Sequence, residues 1–217
     1  MISIIIPTWN EEASLPETLA AIQAAAPKIA HEVIVVDGGS TDQTVTIARE
    51  HGHKIVQSST PDRAFQQNLG AAQASGTILW FLHADTWIPR SSLAQIESTM
   101  HQPEIVGGGF ARQFRSASPF LWLTCRLAQL RSQWFELYFG DQAIFVRATV
   151  FRELEGFREM PVFEDFDLCQ RMRTLGKLQL LRPAIRTSAR RFASRGSLLV
   201  TLHDLWLTLQ YLVTAKR

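Results

Sequence analysis

Short, continuously apolar runs recur along the first third of this chain, each followed by a segment of helical periodicity. Ile2-Ser3-Ile4-Ile5-Ile6, Val33-Ile34-Val35-Val36 and Thr77 to Leu82 lack the polar alternation of a half-wet strand, so they predict strands buried on both faces. A further strand is expected over His53 to Gln57. Between these runs, Leu15, Leu19 and Ile22 mark one helical stripe and Phe65, Leu69 and Ala72 another. Asn10 is placed to cap the first helix, with Glu11 and Glu12 at its positive end. Ser40 and Gln43 have the spacing of a capping box, predicting a second helix to about Glu50. Four strands alternating with three helices predict a mostly parallel sheet flanked by helices.

Beyond Asp85 the pattern is less regular. It predicts a helix from Ser91 to Met100, a strand from Ile105 to Phe110, and a long helix from Pro119 to Tyr138. A strand over Ala143 to Val146 and a short helix to Leu154 follow. Glu164 opens a helix whose apolar face is Leu168, Met172 and Leu175, and Lys177 to Leu181 forms a last strand before a terminal helix. The reading is one domain over 1–217: a regular half over 1–86, an irregular half over 87–192, and an amphipathic helix over 196–213.

Composition narrows the classes. Twenty-two Lys and Arg against 20 Asp and Glu leave a net charge of +2, which does not mark a nucleic-acid binder. Arg182, Arg186, Arg190, Arg191 and Arg195 nevertheless crowd one short stretch. Only Cys125 and Cys169 are present, so no disulfide framework is suggested, and nothing after Met1 reads as a signal peptide. A reduced, cytoplasmic setting is expected. Phe120 to Phe139 and Leu198 to Val213 are apolar but interrupted by charge, too much so to span a bilayer. Core packing, peripheral contact with the inner face of a membrane, and a homodimer interface all fit them.

Chemistry gathers at the strand ends. Asp37 closes the second strand and Asp85 the fourth, where open α/β sheets bind their ligands. Four segments together, Ile4 to Glu12, Val35 to Asp42, His83-Ala84-Asp85 and Glu164-Asp165, resemble the family 2 glycosyltransferases, inverting enzymes of the GT-A fold. His83 to Thr86 and Tyr138 to Gln142 are most similar to a small bacterial-type subgroup. The resemblance implies a nucleotide-diphosphate sugar as donor, UDP- or GDP-linked, a Mn2+ or Mg2+ ion, and a hydroxyl acceptor, which a lipid could carry.

Residue roles follow from that resemblance. Asp85 matches the last aspartate of a metal-binding Asp-x-Asp motif, and His83 stands where the first aspartate is usual. Imidazole there would suit Mn2+ better than Mg2+, or would serve only as a structural hydrogen-bonding group. Asp165 matches the catalytic base, with Glu164 and Asp167 as neighbouring alternatives; its plain reading is a helix cap, whose pKa the dipole would lower. Pro7, Thr8, Trp9, Glu11, Asp37 and Ala84 are expected around the nucleotide, with Arg63 and Asn68 facing the donor from the third helix. Gly38 replaces a second aspartate common in the family, which leaves the base open. Arg191 lies in a reduced form of the Gln-x-x-Arg-Trp motif and would steady the leaving diphosphate. Asp141, Gln142 and Glu164 are assigned to the acceptor side, and Gly107-Gly108-Gly109 marks either close backbone approach to a sugar or a bulge.

Other readings stay open. A nucleotidyltransferase would carry a glycine-rich basic loop after the first strand, where Pro7-Thr8-Trp9-Asn10 stands. A non-catalytic sugar-nucleotide binder would explain His83 and Gly38 as losses.

Overall fold

The computed structural model describes residues 1–25, 29–160, 162–190, 192 and 201. The chain begins β1 (Ile2–Thr8), α1 (Leu15–Ala25), β2 (His31–Asp37), α2 (Thr44–Glu50), β3 (Lys54–Gln57), α3 (Arg63–Ala72) and β4 (Ile78–Phe81). It continues with β5 (Thr86–Trp87), α4 (Ser92–Met100), β6 (Ile105–Phe114), α5 (Pro119–Phe135) and a 3-10 turn at Gly140–Gln142. Then come β7 (Phe145–Arg147), α6 (Ala148–Glu153), α7 (Glu164–Met172) and β8 (Lys177–Thr187). The eight strands form one sheet in the order β3-β2-β1-β4-β7-β6-β8-β5.

The first four strands pair in parallel, as their apolar runs predict. Alternate side chains enter two cores. Ile2, Ile4, Ile6, Val33, Val35 and Trp80 pack on one face with Leu15, Leu19 and Ile22 of α1 and Leu93 and Ile96 of α4. Ile5, Ile34, Val36, Leu79 and Phe81 pack on the other with Ala64 and Ala71 of α3, Phe151 of α6, and Leu168 and Met172 of α7. All four isoleucines of β1 are fully buried, each contributing about 1.5–3 kcal/mol. β1 is thereby fixed between β2 and β4, and its carboxyl end lies beside Asp37: Thr8 and Asp37 are register partners.

The second half departs from the expected plan. β7 runs antiparallel between β4 and β6, while β6 and β8 are parallel to each other. The sheet is therefore mostly parallel. β6 and β8 extend past the predicted ends because they pair with each other as far as Phe114 and Thr187. The two-residue β5, unpredicted, adds to the far edge of β8.

Several local expectations need correction. Asn10 does not cap α1: it holds a left-handed φ of 53°, and its carboxamide oxygen accepts from Thr41 N–H at 2.9 Å, joining two loops. Ser40 and Gln43 form no capping box, because Ser40 donates its hydroxyl to Asp37 at 2.5 Å and no side chain caps at Gln43. The helix predicted through Tyr138 ends at Phe135, where Glu136 turns left-handed, and Tyr138 enters the core instead. Leu175 lies beyond α7 and is exposed. The glycine run approaches protein rather than a sugar: a Cβ on Gly109 would lie 2.6 Å from the Tyr138 ring, and a bulge falls at Ile105/Gly107. The helix expected over 196–213 lies outside the described residues, Thr201 excepted.

Candidate active site

Three chain segments meet at the carboxyl ends of β1, β2 and β4. Asp37 organises the first two. It is 1% exposed; one oxygen accepts from Gly39 and Ser40 N–H at 3.0 and 2.9 Å, and the other from the Ser40 and Thr8 hydroxyls. The Asp37 carboxylate thus builds the loop beside Thr8. Gly38 is required by space, since a Cβ there would stand 2.7 Å from Pro61 Cα. An aspartate at this position has no room in the present packing. Pro7 is half-buried in β1, and Trp9 is 56% exposed on the loop rim, available for stacking.

The end of β4 is pinned from two sides. Leu82 N–H donates to Ile5, and the Thr18 hydroxyl of α1 donates to the Ala84 carbonyl at 2.7 Å. Asp85 follows, mostly buried. Burial raises its pKa; Arg190, 3.5 Å away, opposes that shift, and the nearby charge of Glu11 reinforces it. The same Arg190 nitrogen pairs with Glu11. Two carboxylates from different loops therefore share one cation.

His83 is partly buried, with its ring turned inward. Burial, with Arg63 and Arg190 nearby, pushes its pKa down to about 3, so the imidazole is neutral at pH 7. Its Nε2 is buried without a partner. A Cβ on Gly140 would lie 2.8 Å from that nitrogen and 2.6 Å from Asp165 Oδ2, so Gly140 is wedged between the two groups. Gly140 N–H donates to Asp165 Oδ2 at 2.8 Å. Gly140→Ala is expected to displace both side chains, costing about 1–3 kcal/mol of stability and most of any activity; a wild-type melting curve and rate would contradict this packing.

α7 presents three carboxylates within one turn. Glu164 is bound by Arg63 at 2.7 Å, and Asp167 by Arg158 at 3.1 Å and Arg171 at 2.7 Å. Asp165 is different. It is 5% exposed, and its Oδ1 is buried with no hydrogen-bond partner. Burial pushes its pKa up to about 6, with Arg63 and the Gly140 N–H opposing and the charge of Glu164 adding to the shift. Desolvation therefore outweighs the helix-start effect that predicted a lowered value.

Unpartnered buried polar atoms are rare in native proteins and often mark ligand sites. Among such atoms here, Glu11 Oε2, His83 Nε2, Asp141 Oδ1 and Asp165 Oδ1 belong to residues expected at the site, while others, at Gln67, Ser92 and Gln95, belong to residues outside it. Asp141 also pairs with Arg112 of β6.

Other expected residues serve elsewhere. Asn68 is engaged within the protein: its amide donates to the Phe157 carbonyl at 2.7 Å and accepts from the Phe157 N–H at 2.9 Å. Gln142 is not an open acceptor contact, being fully buried between Phe110, Ser132 and Arg131. Arg191 lies outside the described residues. Arg190, one position earlier, makes the contacts to Glu11 and Asp85 that the sequence reading did not assign, and that reading gave Gly140 no role at the site.

Asp85 and Glu11 converge on one cation, the Arg190 guanidinium, and are the carboxylate type of donor that a divalent ion takes. Mg2+ commonly takes one or two protein carboxylates and completes its shell with phosphate oxygens and water, so a larger protein cage is not required. Among the described residues no group of three or more His, Cys, Asp or Glu is placed to hold a metal without such help.

This architecture, a parallel half continued by a mixed-strand half, is that of the GT-A fold. Staphylococcus aureus TarS in complex with UDP-GlcNAc superposes with a TM-score of 0.70 at 20% identity, over 86% of this chain and 58% of that one. The mannosyltransferase PcManGT of Pyrobaculum calidifontis, in complex with GDP-Man and Mn2+, gives 0.70 at 20% identity, over 86% and 56%. Residues 3–154 match the family described as Glycosyl transferase family 2, and the chain belongs to that family. An uncharacterized glycosyltransferase of Mycobacterium tuberculosis is 36% identical over 84 residues, 39% of this chain and 36% of the relative. The aligned region thus spans about a third of that relative's length. The family match ends before Glu164, so the role of Asp165 rests on its geometry.

Proposed function

We propose that this protein transfers a sugar, with inversion, from a nucleotide-diphosphate donor to an acceptor hydroxyl. The observation that carries the reading is Asp165: enclosed, with one free oxygen, and with a proton affinity suited to a base near neutral pH. The acceptor oxygen attacks the anomeric carbon, the bond from that carbon to the diphosphate breaks with its electron pair leaving on the diphosphate, and Asp165 takes the hydroxyl proton.

The nucleotide is seated by the Thr8 to Glu11 loop and the Asp37 turn, with Trp9 offering a stacking surface. Arg63 and Arg190 bring positive charge to the diphosphate. Asp85, with Glu11, would hold Mn2+ or Mg2+, which supplies charge neutralisation to the leaving group when bound. Neutral His83 holds the floor beneath Gly140 and adds no charge of its own. The donors named for TarS and PcManGT, UDP-GlcNAc and GDP-Man, support a nucleotide sugar and make UDP- and GDP-linked donors the first to test.

A pH profile tests the base. kcat/KM is expected to fall as pH drops through about 6, because protonated Asp165 cannot accept the acceptor proton. A profile flat to well below that value would remove Asp165 from this role. Titration calorimetry with UDP and GDP, with and without Mn2+, tests the donor site independently of turnover.

A further inference from the structure

The long helix α5 carries an unusual surface. Leu121, Cys125, Ala128 and Ser132 face the protein and are buried. On the outside, Trp122, Leu123, Leu127, Leu130, Trp134 and Phe135 are all exposed, Trp122 by 61% and Trp134 by 74%. Scattered single leucines on a surface need no explanation, but six large apolar groups along one helix form a patch of the kind that marks a binding surface.

Charge identifies the partner. Between Glu104 and Glu136 the chain has no Asp or Glu, whereas Arg112, Arg115, Arg126 and Arg131 all fall there. Arg126 is exposed within the apolar patch itself and lies over the Trp122 ring, 5.7 Å from its centroid. Arg131 and Arg112 turn inward to Gln142 and Asp141, and Arg115 pairs with Glu17. Glu136, the acid that closes the helix, accepts from Leu178 N–H at 3.3 Å and points to β8. The α5 surface is thus apolar, aromatic and cationic, without an acid among the residues of the helix. Two copies joined through this face would set arginine against arginine with no helix carboxylate between them, which disfavours a dimer. Tryptophan, leucine and arginine together are the composition of helices that lie in a bilayer interface over anionic lipid.

We infer that α5 is a membrane-docking helix that lays its Trp122 to Phe135 face on an anionic lipid surface. No helix among the described residues is long and apolar enough to cross a membrane, so this contact is peripheral. Docking here also orients the site. Arg131 and Ser132 of α5 both hydrogen-bond Leu137 and Gln142, and the turn that contains Gln142 begins at Gly140, the partner of Asp165. Lipid contact therefore sets the catalytic turn at a fixed height above the bilayer.

The test is cosedimentation of the full chain with vesicles of phosphatidylcholine alone and of phosphatidylcholine with phosphatidylglycerol, at low and high salt. Binding is expected on the anionic vesicles, weakened by salt, and weakened about five-fold by Arg126→Gln if one basic residue contributes about 1 kcal/mol at such a surface. Trp122→Ser with Trp134→Ser is expected to weaken it at least about ten-fold. Both variants should keep the wild-type melting curve, since these side chains are exposed. Failure of the folded wild type to bind anionic vesicles would overturn the proposal, as would binding that both variants retain. So would reversible dimerisation by sedimentation velocity that the double variant abolishes. Because the readout is sedimentation, none of these outcomes depends on whether the protein transfers a sugar.

Discussion

Asp165→Asn is expected to lower kcat by about 10²–10⁴-fold while leaving nucleotide affinity nearly unchanged. Asparagine keeps the shape and can accept from the Gly140 N–H, but it cannot take a proton. A structural effect should not imitate this result. Because the folded-state pKa of Asp165 is raised to about 6 from an ordinary 3.8, its contribution to stability is fully present below about pH 3.8 and is lost as pH rises through about 6. At neutral pH the ionised group is a burden on the fold, so the asparagine variant should melt no lower than the wild type. Turnover within a few-fold of wild type would transfer the base role elsewhere; Glu164 and Asp167 are poorly placed for it because arginines already hold both.

Asp85→Ala is expected to weaken nucleotide binding in the presence of metal and not in its absence. With Mn2+ present, affinity for UDP or GDP should fall by roughly 10- to 100-fold, about 1.4–2.8 kcal/mol, because the carboxylate that would hold the ion is gone. Without metal the same change removes a negative charge that faces the diphosphate and leaves Arg190 with one partner fewer, so binding should hold or tighten. Calorimetric titration in EDTA and in Mn2+ reads both. Equal losses in the two conditions would mean that Asp85 supports the loop rather than a cation.

The parallel half was legible because its information is local. A strand buried on both faces must be apolar at every position, and β1, β2 and β4 show that without reference to the rest of the chain. The strand ends were legible for the same reason, with Asp37 and Asp85 falling where apolar runs stop. Local signals also misled. Ser40 and Gln43 had the right spacing for a cap, but a hydroxyl bonds more strongly to a carboxylate, and Asp37 claimed Ser40 first. Asn10 likewise went to a loop partner thirty-one residues away rather than to its own helix.

The second half resisted reading because its strands have meaning only as pairs. Nothing in Phe145 to Arg147 states that it will run antiparallel between β4 and β6; that is settled by which edges remain open after the parallel quartet forms. The long apolar stretch after Pro119 fitted core, dimer and membrane alike, and only the fold, by burying Leu121 and Cys125, showed which face was left outside.

By itself the sequence determined the class of fold, the family, and the carboxylates to examine, since each is written in contiguous residues. Only the tertiary structure decided their chemistry. Whether a carboxylate is a base, a ligand or a strut depends on its solvation and on the charges beside it. At Asp165 those are the Gly140 N–H, Arg63 and Glu164, the first two brought from other segments, and at Asp85 an arginine more than a hundred residues along the chain.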